Sequence, residues 1–122
     1  MTQALEREAH EPTFVAAKRS PAVVQAVEHI VRGRADITEA HLVGMRGSRT
    51  TSTTLALIVL SEDRSVVSAL EGDLRAVLTP HVRPTVVHFP PDHAELPWVR
   101  GLGGELKRES GRFPWWFLFL GI

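Results

Sequence analysis

One run in the chain is apolar on both of its alternating faces. In Thr53 to Leu60 (TTLALIVL), Leu55, Leu57 and Val59 fall on one side, and Ala56, Ile58 and Leu60 on the other. A half-exposed strand alternates apolar with polar, so this run predicts a central strand with cover on both faces. Ile37 to Met45 (ITEAHLVGM) alternates more loosely and predicts a second strand. With RGSRTTS as a long polar turn, the two form an antiparallel hairpin. Thr13 to Ala17 and Pro84 to Phe89 (PTVVHF) are shorter strand candidates, the latter closed by Pro90-Pro91. Two stretches carry the helical period instead. Val23, Val24, Val27, Ile30 and Val31 follow Ser20-Pro21 and precede Gly33, which predicts a helix over 22–32 with Ser20 as its N-cap. Val66, Ala69, Leu70, Leu74, Val77 and Leu78 form a second stripe, capped by Ser61-Glu62-Asp63 and ended by Thr79-Pro80. Leu96 to Leu106 repeats Trp98, Leu102 and Leu106 every four residues, and Pro97 and the GLGG run limit it to a helix of about two turns.

The order is β-α-β-β-α-β with a C-terminal appendage, which predicts an α+β fold: a ferredoxin-like sandwich with both helices on one face of an antiparallel sheet. The other face then needs cover. Five of the eight aromatic residues lie between Phe113 and Phe119, so the apolar tail 112–122 is the expected cover, in its own chain or in a partner. At 122 residues the chain reads as a single domain, 1–122, with a polar start over 1–12.

Composition changes this picture little. The net charge is zero, which gives no global pull towards nucleic acid or anionic lipid. The absence of cysteine excludes disulfides, thiolate nucleophiles and Cys-based zinc sites. Met1 to Pro12 has no apolar core of the secretory kind, and WWFLFLGI is far short of the roughly 20 residues that span a bilayer. A cytoplasmic protein without a membrane span is expected.

With the pattern in place, the chain resembles the C-terminal domain of the enhanced serine sensitivity (SseB) family of bacterial proteins, over about residues 13–117. Ala40, His41, Leu42, Val43, Gly44 and Met45 stand where that family's hairpin strand commonly reads A-Y-L-A-x-M, with His41 in place of the usual Tyr. Phe113, Pro114 and Trp115 are similar to its closing Pro-Phe-Tyr, and the chain continues through Phe117 to Ile122. The resemblance implies a small non-enzymatic interaction domain in a bacterium, with no cofactor. The family has no agreed catalytic residues, so none is carried over.

Chemistry candidates are few. His81, His88 and His93, with Asp92 and Glu95, match no standard metal-ligand spacing, and solvated loop and strand positions account for them. His41 on the hairpin strand reads as a partly buried histidine bonded to a neighbour. Glu105 and Glu109 fall one turn apart if their segment is helical, which reads as a solvated face. The sequence has no G-x-S-x-G elbow and no phosphate-binding loop. Arg46 and Arg49 at the hairpin tip offer guanidinium forks to a phosphate or an RNA backbone, although hairpin tips are commonly Gly-, Ser- and Arg-rich. Trp115, Trp116, Phe117 and Phe119 are the expected partner-binding residues. Hence the expected function is a protein–protein interaction module or small assembly subunit, docking another protein or itself. A nucleic-acid or anion binder acting through Arg46 and Arg49 is the alternative.

Overall fold

The computed structural model describes residues 13–47 and 53–108. They form a mixed α/β fold of the broad α+β kind, with a five-stranded sheet and three helices. The strands are β1 (Thr13–Val15), β2 (Glu39–Arg46), β3 (Thr53–Leu60), β4 (Thr85–Phe89) and β5 (Glu105–Arg108). The helices are α1 (Pro21–Arg32), α2 (Val66–Val77) and α3 (Leu96–Arg100).

β3 has the bounds its apolar run predicts, and it lies between β2 and β4. Its alternation divides the core in two. Leu57 and Val59 join Ala40 and Leu42 of β2 and Leu106 of β5 beneath α1 and α2, which contribute Val23, Val27, Val31, Val66, Leu70 and Leu74. Ala56, Ile58 and Leu60 join Phe14, Val43 and Phe89 on the opposite face, against Leu96 and Val99 of α3. So α1 and α2 share one face as expected, while α3 covers the other. Two side chains hold α3 there. The Trp98 indole N–H donates to the Phe14 carbonyl at 2.7 Å, and Arg100 reaches Glu39 at the start of β2.

The ferredoxin-like strand order is not confirmed. The described order is β1-β2-β3-β4, with β3 and β4 parallel and α2 as their crossover. In a ferredoxin-like sheet the first strand would lie beside β3. Here β1 is three residues long, too short to serve as an interior strand against an eight-residue neighbour, and β4 takes that place. β1 instead pairs with the far end of β2, and β5 pairs with the near end of the same edge.

Other expectations need adjustment. α2 starts at Val66, not at Ser61. The intervening residues make their own turns: Ser61 Oγ accepts the Asp63 N–H, and Asp63 Oδ1 accepts the Ser65 N–H. Ser20 is the N-cap residue of α1, but its hydroxyl makes no capping bond. The helical reading of Leu96 to Leu106 holds only as far as Arg100, and Glu105 and Leu106 belong to a strand. The GLGG run makes that change possible. Gly103 has φ +78°, in the left-handed region, and a Cβ on Gly104 would lie 2.2 Å from the Leu42 carbonyl oxygen. The tail 112–122, the start 1–12 and Glu109 lie outside the described residues.

Candidate functional site

Among the described residues the sheet leaves strand backbone unpaired along the outer edges of β1 and β5 and along that of β4. β4 pairs with β3 along one edge, and no other described strand pairs with it. Its sequence, Thr-Val-Val-His-Phe, suits a strand because β-branched and aromatic side chains pack on a pleated surface. Pro84 and Pro90 bound it, since neither has an N–H to continue a ladder. Beside this strand runs a cleft of about 740 Å³ lined by Arg64, Ser65 and Ser68 of the α2 start and by Val86, His88 and Pro90 of the β4 side. His88 is fixed in the cleft wall, its Nε2–H donating to the Ser61 carbonyl at 2.8 Å. The floor is apolar, with half-buried Val67 and Val86, while Arg64, Ser65 and Ser68 on the rim are exposed.

A buried group of ionisable side chains lies across the sheet and was not legible in the sequence. Glu39 and His41 are two residues apart on β2, so they share a face, and both are buried. Arg100 of α3 closes over them. Its Nε and Nη2 donate to the two Glu39 oxygens at 2.9 and 2.7 Å, and His41 Nε2–H donates to Oε2 at 2.5 Å. Burial pushes the Glu39 carboxyl up, but the bonds and charges of Arg100 and His41 outweigh it and hold the pKa at about 2. The same carboxylate raises the Arg100 pKa. A carboxylate held there is a weak proton acceptor near neutral pH, because a general base works best with its pKa close to the working pH. Both of its oxygens also already accept from these donors. The cluster is suited to clamping α3 onto β2. Among the described residues, His41 Nδ1 is buried without a hydrogen-bond partner.

The sequence-predicted residues fare differently. His41 is bonded to a neighbour as expected, and it is fully buried where a partly buried histidine was expected. His88 and His93 are not brought together: His88 turns to Ser61, whereas His93 stacks on Phe89 at 3.7 Å on the other side of the strand. His93 Nδ1 accepts the Glu95 N–H. Among the described residues no three His, Asp or Glu side chains are placed to hold a metal ion. Arg46 is exposed at the end of β2, opposite Thr13 and Thr53. Its expected companion Arg49, and the expected docking residues Trp115, Trp116, Phe117 and Phe119, lie outside the described residues. The cleft residues Arg64, Ser65 and Ser68 were missed. The signal that could have found them is the uncharged, proline-bounded strand at 85–89, whose position at an edge depends on the sheet order.

Among the described residues no helix is long and apolar enough to cross a membrane. Compared with family models, with curated proteins and with solved structures, the chain matches none of them.

Proposed function

We propose that this chain is a non-enzymatic protein–protein interaction module or small assembly subunit, working in the cytoplasm of a bacterium. The observation that supports it is the outer edge of β4, with its cleft against α2. An unpaired strand edge presents a row of N–H and C=O groups to which an extended segment can add, and the adjoining pockets select its side chains. The resemblance to SseB-type domains agrees with this reading, as does a buried carboxylate held at about 2 by its donors. In this role the α3 clamp keeps the far face of the sheet closed, so that docking falls to the edge.

The test is affinity capture from the source cells with three versions of the chain: wild type, Thr85→Lys and Arg46→Ala. Thr85 is exposed on the edge strand, and a lysine there is a common guard of free edges. A defined partner held by wild type and Arg46→Ala but lost from Thr85→Lys supports the edge as the working surface. Equal retention by all three refutes it. Loss from Arg46→Ala alone would move the function to the hairpin tip.

A further inference from the structure

We infer that the occupant of this edge is a second copy of the chain, the two β4 strands pairing antiparallel about a twofold axis at Val87. The inference rests on the reading of the β4 edge as a docking surface and names its partner.

The first argument is what β4 lacks. Soluble monomers guard a free edge with charged side chains, a bulge or an inward-pointing lysine. β4 has no charged residue between Thr85 and Phe89, and its register with β3 runs unbroken from Ala56↔Thr85 to Leu60↔Phe89. It is unbulged and uncharged, the form that another strand can join.

The second argument is self-complementarity. A twofold axis at Val87 sets Val86 opposite the partner copy's His88 and Thr85 opposite its Phe89. Pro84 then falls opposite Pro90. The two residues that bound the strand have no N–H, so the ladder ends at both sides together and no bounding amide is left without an acceptor. A different partner strand would need its own breaks at the same spacing.

The third is charge. The turn after β3 is tied to the His88 end of the edge through the Ser61 carbonyl, and it carries Glu62 and Asp63, both exposed. Arg83, half-buried, stands two residues before the opposite end of β4, its Nη2 donating to the Leu78 carbonyl. An antiparallel pair turns the acidic end of each copy towards the Arg83 end of the other, twice over. Between them, the exposed Ser65 and Ser68 are small enough for the two α2 helices to approach across the cleft.

The experiment is sedimentation equilibrium of the full chain at on the order of 100 μM, where even a weak interface is populated. Wild type is expected at twice its 13.5 kDa mass. Thr85→Lys is expected at the single mass, with an unchanged circular dichroism spectrum. Asp63→Arg and Arg83→Asp are each expected to be monomeric alone and to dimerise when mixed in equal amounts, because only the mixture restores opposite charges at both contacts. That rescue also separates a lost interface from a damaged fold. A monomeric wild type overturns the inference, including the case in which another segment of the same chain protects the β4 amides from exchange. A dimer that survives all three substitutions overturns it too, since it must pair through another surface. Either failure leaves the docking-edge reading to be judged by the Thr85→Lys capture contrast, which a monomer can still pass.

Discussion

Glu39 shows how a buried charge is tolerated at the level of a single residue. It is 4% exposed, yet Arg100 and His41 supply donors to both of its oxygens. A carboxyl moved from 4.5 to about 2 is worth at most about 3 kcal/mol of stability by proton linkage. The Arg100 side chain is 36% exposed, so solvent screening reduces this to about 1–2 kcal/mol. The folded pKa lies below the unfolded one. The contribution is therefore complete above about pH 4.5 and fades as the pH falls towards 2. Glu39→Gln is expected to lower the urea midpoint at pH 7, with the gap to wild type closing between pH 5 and pH 2. A gap that stays constant with pH would assign the effect to packing instead of charge. This pair was invisible in the sequence because its members are 61 residues apart and meet only after α3 folds onto β2. His41, by contrast, was legible from its place on the hairpin strand as a histidine bonded to a neighbour, though its burial is complete and not partial.

At the scale of elements, β5 depends on a single glycine. The Leu42 N–H donates to the Gly104 carbonyl at 2.8 Å, and any Cβ on Gly104 would press into the Leu42 backbone. β2 cannot retreat, since all eight of its residues are paired with β3. Gly104→Ala must therefore push β5 off the sheet, at an expected cost of about 2–3 kcal/mol in a denaturation series. Gly72 on α2 is the opposite case. It is exposed and has open space where a Cβ would go, so Gly72→Ala is expected to raise stability by about 0.5–1 kcal/mol. The same two glycines explain what could be read in advance. The helical period of α2 survives Gly72 because Val66, Leu70 and Leu74 still fill one stripe. β5 has only Leu106 as an apolar residue among Glu105, Lys107 and Arg108, and four residues are too few to show alternation. Its cue was GLGG, read as a weakened helix when it was the close approach of two backbones. The sheet order was lost for a related reason: strand lengths decide it, and the ends of short strands are the part that sequence patterning defines least.

For the whole molecule, β3 is the shared wall of two cores, and their closure is what leaves the sheet edge for the proposed docking role. Leu57 and Ile58 are adjacent, both fully buried, and point to opposite faces. Leu57 lies under α1 and α2; Ile58 lies on the face covered by the short α3, with Phe14 and Phe89 edge to face at 5.7 Å. If that second face were a weakly covered surface, Ile58→Ala would cost little, because a truncated side chain at a wet surface leaves no cavity. With the face closed, both substitutions create one. Leu57→Ala and Ile58→Ala are each expected to cost about 2–5 kcal/mol, comparable within a factor of two, in urea denaturation with an unchanged m-value. A cost for Ile58→Ala below about 1 kcal/mol would mean that the α3 side is open to water. Docking would then belong to a sheet face with exposed apolar area instead of the polar-rimmed edge at β4. Comparable costs leave the β4 edge, beside its polar-rimmed cleft, as the proposed docking surface.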